Sequence, residues 1–287
     1  MVHSVSLIIS FYNKIDLLMY VFAALERQTF RDFEVVIADD GSTPEVVQEI
    51  NRIRTNYFFP IKHVWHKDNG WQKNKSLNNA IVASEGEYLV FIDGDCIPHP
   101  KFLQEHFENR AESRVISGRR VFLTEKVSKA LTIKKIQNGY LDFRVIFPLM
   151  METIFHGRKT ELENMIRIRN KFIRKLFIKE KIRNVIGCNF SAWKKDIVKI
   201  NGFDERYRYP GFGEDCDLDE RLRRTGIFPC SKKHLITEYH FFHKHFDTLY
   251  EPNMLLWNEK KRNFETSTIH GIIKGSENEK KETEVKR

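Results

Sequence analysis

A chain of 287 residues that is 41% hydrophobic, 30% charged and 13% aromatic can bury a substantial core in one domain with an elaboration. It has no apolar run near the roughly 20 residues that cross a bilayer, and its four cysteines are widely spaced with no Cys-x-x-Cys pair, which argues for free thiols over a disulfide frame or a zinc site. A net charge of +9 and a pI near 9.2 imply attraction to something anionic, and nucleic acid, anionic lipid and nucleotide sugars all qualify.

Met1-Val2-His3-Ser4 enters a strand without the basic start and cleavage site of a secretory signal, so a cytoplasmic location is expected. Residues 5–10 are a β-branched apolar run and a first strand; Phe11-Tyr12-Asn13-Lys14 is a turn. Over residues 15–28 the spacing of Leu17, Leu18, Val21, Phe22 and Leu25 predicts a helix, with Asp16 well placed near its positive end. A second strand, 33–38, ends in Asp39-Asp40-Gly41-Ser42, and Pro44 opens a helix to about residue 53. A third strand covers 61–66. The polar loop 69–75 then leads into a helix over 76–84.

Tyr88-Leu89-Val90-Phe91-Ile92 is uncharged and β-prone, a strand buried on both faces. It stops at Asp93-Gly94-Asp95. Strands alternating with helices predict an α/β fold, a mostly parallel sheet flanked by helices, and ligands of such sheets bind at the carboxyl edge of the strands. Two carboxylates around one glycine suit a hard cation, Mg²⁺ or Mn²⁺, carrying a diphosphate. A bare Asp-x-Asp is as often a solvated turn; the buried strand before it and Pro98 after it favour a site.

Residues 124–183 change character, being helix-prone and basic, with Ile166, Ile168, Phe172, Ile173, Leu176, Phe177 and Ile178 interleaved among Arg and Lys. A solvated insertion packed on the sheet and a peripheral contact with anionic lipid or a lipid-linked acceptor both fit. Strand character returns at 185–191 and helical character at 194–200, followed by the turn Gly202-Phe203-Asp204-Glu205. The glycine-loosened loop from Tyr209 delivers Glu214, Asp215 and Asp217 to a helix over 217–225. Five acids (these three with Asp93 and Asp95) crowd one site only if a cation offsets them. Asp93 and Asp95 are therefore set on a metal, and Glu214 or Asp215 opposite as a base. His240 and His243, three apart in Tyr239-His240-Phe241-Phe242-His243-Lys244-His245, are either packed or surface histidines, as such a cluster beside two phenylalanines more often is, or imidazole donors that favour Mn²⁺ over Mg²⁺. From about residue 275 the chain reads as a frayed charged tail.

Together these motifs resemble glycosyltransferase family 2 with the GT-A fold. Phe11-Tyr12-Asn13, Ala38-Asp39-Asp40-Gly41-Ser42 and Asp93-Gly94-Asp95 follow that family's order across 5–98. Residues 187–253 are similar to the later half of galactosyl- and N-acetylgalactosaminyltransferases, through Gly187-Cys188-Asn189-Phe190-Ser191, Gly202-Phe203-Asp204-Glu205, Gly211-Phe212-Gly213-Glu214-Asp215 and His243 with Glu251-Pro252-Asn253. The resemblance implies that Ser10, Tyr12 and Asp39 hold uridine, and that Lys75 and Asn78 border the sugar diphosphate. It puts Asp93 on ribose or metal and Asp95 and His243 on the metal, with His240 where the animal enzymes use a methionine. Asp215 is implied as the base and Glu214 as a sugar ligand. Trp193 is either an acceptor-stacking aromatic or core.

The expected activity is inverting, metal-dependent transfer of a hexose or N-acetylhexosamine from a UDP-sugar to a glycan or lipid-linked acceptor. The expected divisions are 1–123 for nucleotide sugar, 124–184 for the basic insertion, 185–270 for acceptor and catalysis, and 271–287 as tail. A sugar-nucleotide pyrophosphorylase would need a glycine-rich N-terminal loop, which Ser10-Phe11-Tyr12-Asn13 is not. A basic nucleic-acid or membrane module would leave both acidic motifs without purpose, so no nucleic-acid partner is expected.

Overall fold

The computed structural model describes residues 3–178, 184–243 and 251–274. Ten strands are found among them: β1 (Val5–Phe11), β2 (Phe33–Asp39), β3 (Ile61–Trp65), β4 (Tyr88–Asp93), β5 (Cys96–Pro98), β6 (Arg114–Ser117), β7 (Arg119–Phe122), β8 (Asn189–Trp193), β9 (Phe228–Ser231) and β10 (Thr237–His240). Seven form one sheet in the order β3-β2-β1-β4-β8-β6-β9, and three form a small sheet, β5-β10-β7. The four strands from the first ninety-odd residues are mutually parallel. β8 runs antiparallel to both β4 and β6, while β6 and β9 are parallel. The later half of the chain thus completes the sheet that the first half begins.

Period-two alternation explains why the strands read as continuous apolar runs. Val5, Leu7 and Ile9 of β1, with Val90 and Ile92 of β4, pack on Leu18, Val21 and Phe22 of the helix Ile15–Leu25. Ile8, Leu89 and Phe91 point the other way, toward Leu77, Ala80 and Ile81 of the helix Lys73–Ala83. Each fully buried Leu, Ile or Phe contributes roughly 1.5–3 kcal/mol. Two helical layers therefore fix β1 and β4 from both faces, and with them the level at which Ser10 and Asp93 emerge.

Residues 124–178 are helical, as the composition predicts, but in short pieces. Thr124 and Thr132 cap the helices Glu125–Ala130 and Ile133–Gln137 through bonds to the backbone N–H groups of Val127 and Lys135. Gly139 and Gly157 then turn the chain in left-handed conformation on either side of the helix Ile146–His156. Val127, Leu131, Ile136, Leu141, Val145 and Leu149 pack under the small sheet against Ala23, Ala24, Val121 and Tyr239. Lys179 to Arg183 of the basic stretch lie outside the described residues.

The C-terminal boundary differs from expectation. Gly271 to Lys274 are docked: Ile272 and Ile273 donate their N–H groups to the backbone and side-chain oxygens of Asn201 (3.1 and 2.8 Å), and Lys274 reaches Glu205 at 2.5 Å. Ile272 supplies an apolar anchor to the core that a count of charges does not weigh. Residues 275–287 lie outside the described set.

Candidate active site

Three parallel strands end at one level and present Ser10, Asp39 and Asp93. Asp39 is fully buried, with Oδ2 2.7 Å from His63 Nε2 and Oδ1 accepting from the N–H of Ser42 at 2.8 Å. Asp40 accepts from the Gln72 N–H at 2.9 Å, and burial pushes its carboxyl up to about 6. Tyr12 is half exposed and donates to Asp68 at 3.1 Å. These groups form the rim of the sheet edge.

Asp93 is held by two donors. Ser10 Oγ donates to Oδ1 at 2.5 Å and Lys73 Nζ to the same oxygen at 2.8 Å. Lys73 is a residue that sequence reasoning missed: the helix was expected from residue 76, but it starts at Lys73. A cation in the first turn of a helix faces the positive end of its dipole, so local rules disfavour this start. Burial also opposes the charge, yet the carboxylates of Asp93, Glu214 and Asp215 outweigh it and raise the lysine. Asp93 in turn lies low: burial would raise it, and Lys73 and the Ser10 hydroxyl reverse the direction.

Asp95, His240 and His243 converge. Asp95 lies 3.8 Å from His240 Nε2 and 3.4 Å from His243 Nε2, and one donor atom from each of the three falls within 4.8 Å of the others. Two strands make this possible, because β5 pairs antiparallel with β10 and sets Cys96 opposite His240. Burial lowers His240 against the pull of Asp95, which keeps the imidazole neutral as a ligand must be. A carboxylate with two imidazoles fits a borderline divalent cation such as Mn²⁺. Asp93, expected on ribose or metal, is not among the three converging donors.

The second half delivers its acids at the start of the helix Glu214–Arg224. Gly213 precedes it at φ +113°, where a Cβ would meet the Tyr207 ring at 2.5 Å, so only glycine serves there. Asn253 holds the loop by donating to the carbonyls of Tyr209 and Phe212, both at 2.8 Å. Asp215 accepts from the Gly187 N–H at 3.0 Å. Glu214 has its Oε2 enclosed without a hydrogen-bond partner, and burial together with the Asp215 charge pushes it up to about 7 against the pull of Lys73. Asp217 leaves this group altogether. It pairs with Arg221 at 2.7 Å and with Lys260 at 2.6 Å, and Lys260 also binds Asp204 at 2.6 Å.

Asn78 and Trp193 are placed elsewhere. Asn78 is buried, and its amide is spent on the loop: Nδ2 donates to Phe203 O and Glu205 Oε1, and Oδ1 accepts from Phe203 N–H. Lys75 is half-buried on the same helix as Lys73. Trp193 is half-buried against the core, at the other edge of the sheet. Because β8 is antiparallel, Trp193 pairs with Tyr88 at the amino end of β4, away from Asp93, and its ring packs edge-on to Tyr88 at 5.3 Å. The cysteines are all unbridged, but long-range folding brings Cys96 and Cys188 together with Glu238, their donor atoms within 4.8 Å. Arg120 donates to the Cys188 sulfur at 3.3 Å, closing a buried polar layer beneath Asp95.

An open sheet with acidic loops at its carboxyl edge, a carboxylate–imidazole cluster beside them and a second acidic loop opposite define an α/β domain of the GT-A type. Residues 6–197 match the family model described as glycosyl transferase family 2, and the chain belongs to that family. Residues 167–245 also match a model described as the N-terminal domain of galactosyltransferase. The chain is 25% identical to the chondroitin synthase of Escherichia coli over 237 residues, covering 79% of this chain and 33% of that protein. It therefore spans about a third of that relative's length. Over 91 residues it is 32% identical to the Escherichia coli UDP-Glc:alpha-D-GlcNAc-diphosphoundecaprenol beta-1,3-glucosyltransferase WfaP, covering 32% of this chain and 35% of that one. Among solved structures, S. aureus TarS 1–349 in complex with UDP-GlcNAc superposes with a TM-score of 0.57 at 16% identity, covering 91% of this chain and 65% of that chain. At that identity the likeness is one of fold.

Proposed function

We propose that the chain is an inverting, metal-dependent glycosyltransferase that moves a hexose or N-acetylhexosamine from a UDP-sugar to a glycan or lipid-linked acceptor, working in the cytoplasm. One observation carries this reading: Asp95 from the first half of the chain and His240 and His243 from the second offer donor atoms within 4.8 Å of one another, beside Asp93 with its bonded Lys73 at the end of β4. Groups from both halves of the chain thus meet at the carboxyl edge of the sheet.

In this reading Asp39, Ser10 and Tyr12 hold the uridine, and Lys75 borders the sugar diphosphate. Asp93 faces the ribose and positions Lys73, whose positive charge lies where the diphosphate oxygens come to rest. Asp95, His240 and His243 would hold the cation. When bound, Mn²⁺ neutralises charge on the departing diphosphate, worth several kcal/mol.

Asp215 is the base: one oxygen is fixed by the Gly187 N–H, and the other is left to take the proton of the acceptor hydroxyl. The acceptor oxygen attacks C1 of the sugar as the C1–O bond to UDP breaks, and the bonding pair leaves with UDP. A single displacement needs no enzyme nucleophile and inverts the anomeric centre. Glu214, poised near neutrality, hydrogen-bonds a sugar hydroxyl as donor or acceptor. Support for UDP-sugars and a lipid-linked acceptor comes from the names of the relatives.

A panel of UDP-sugars with Mn²⁺, scored for release of free UDP, tests the reading without knowledge of the acceptor. One UDP-sugar should be hydrolysed above the others, and chelation should stop it. Equal inertness toward every UDP-sugar, with no UDP-induced thermal stabilisation, contradicts the reading.

A further inference from the structure

The helix Ile146–His156 buries one side chain, Leu149, and leaves an unusual amount of apolar surface in water. Phe147, Ile154 and Phe155 are 64, 65 and 67% exposed, and Phe143 just before the helix is 79% exposed. Met150 and Met151 join them. A second apolar strip follows at Ile166, Phe172, Ile173 and Leu176, also exposed. The two strips meet: Phe143, Ile146 and Ile166 line one cavity of about 760 Å³. That cavity is also lined by Tyr239 and Thr237, on the opposite face of β10 from His240, so it is not the acceptor side of the metal cluster. Exposed apolar surface of this extent marks an interaction site.

Charge identifies the occupant. Residues 124–183 contain fifteen Lys and Arg against six Asp and Glu, an excess of nine that equals the net charge of the whole chain, so the rest of the protein is neutral. Three acids of the region are engaged by cations: Asp142 by Arg27 at 2.6 Å, Glu152 beside His156 and Lys126, and Glu163 by Lys233 at 3.4 Å. A second copy of this chain would bring the same positive charge and be repelled. An anionic bilayer matches both features, since aromatic and aliphatic side chains enter the headgroup boundary while basic residues around them meet the lipid phosphates.

We infer that the face made by Phe143, Phe147, Ile154, Phe155 and the neighbouring 166–176 strip docks on an anionic lipid surface. This rests on the reading of a transferase that meets a lipid-linked acceptor, and it names the surface through which the enzyme reaches that membrane. The face lies on the helix Ile146–His156 more than on residues 166–178, where the sequence pattern alone placed it.

The test is co-sedimentation of the whole chain with phosphatidylcholine vesicles with and without phosphatidylglycerol, using wild type, the double variant Phe147→Ser/Phe155→Ser, and Arg158→Gln/Lys159→Gln. Both pairs are exposed, so circular dichroism should report an unchanged fold. Wild type should bind the anionic vesicles only, with binding weakened by salt. The phenylalanine pair should cost about tenfold or more in apparent affinity, and the basic pair a smaller factor. No binding, or binding indifferent to the phenylalanines, overturns the inference. So does a concentration-dependent dimer abolished by the same phenylalanine variant, which would assign the face to self-association. The assay contains no donor sugar, so its failure leaves the transferase reading standing, and an inert donor panel leaves vesicle binding standing.

Discussion

The two halves of the sheet bring their acids to the cleft in different ways. In the first, Asp39 and Asp93 sit at the ends of parallel strands that a short stretch of sequence specifies, and each is in place once its strand is. In the second, Glu214 and Asp215 depend on partners remote in sequence: Asn253 holds their loop, Tyr207 demands the glycine before them, and Lys260 removes Asp217 from their company. A strand end positions a carboxylate cheaply, whereas a loop does so only when buried contacts from elsewhere over-determine it.

Experiments that separate the halves should show this contrast. Asp215→Asn should lower transfer by about 10²–10⁴-fold while UDP affinity stays near wild type, as calorimetry and initial rates would measure. Loss of both together would make Asp215 structural and erase the distinction.

Lys260→Met removes the buried ammonium that bridges Asp204 and Asp217, leaving each acid with a single arginine, Arg206 and Arg221 respectively. The expected cost is about 3 kcal/mol in a denaturant melt, with the loop before Glu214 loosened more than the ends of β2 and β4. An unchanged midpoint would show that the second half does not depend on this buried network.

Glu214 gives a smaller, pH-dependent effect. Its folded carboxyl is raised to about 7 from an ordinary 4.5, so the folded state holds its proton more tightly than the unfolded chain. That stabilisation is complete below about 4.5 and is lost as pH rises through 7. Glu214→Gln keeps the neutral form at every pH. Its melting temperature relative to wild type should therefore climb between pH 5 and pH 8, by an amount worth at most about 2–3 kcal/mol. A pH-independent difference would mean that Glu214 ionises like a surface carboxylate.

What was legible in the sequence follows the same division. The strand runs, the acidic turns and the family they belong to needed only local pattern, and so did the placing of Asp93 at a strand end and of Glu214 and Asp215 at a helix start. The first turn of Lys73–Ala83 was invisible because its residues are polar and apolar periodicity begins at Leu77. The family resemblance points to Lys75, whereas the lysine that touches Asp93 is Lys73. Trp193 looked available because antiparallel pairing, which carries it to the far edge, leaves no mark on a five-residue strand. The job of Asn78 could not be seen without its partners some 125 residues away. His63 left no local signal: the register sets Trp65 opposite Asp39 and His63 opposite Ile37, two residues back, and only the folded side chains bring the imidazole to the carboxylate.

The convergence of the two halves on one cation is tested most directly by calorimetry of UDP with Mn²⁺ for wild type, Asp95→Ala and His243→Ala. Both substitutions, one from each half, should abolish the Mn²⁺-dependent part of UDP binding and leave the residual metal-free binding alike. Metal-dependent affinity that survives His243→Ala undiminished would contradict a shared site.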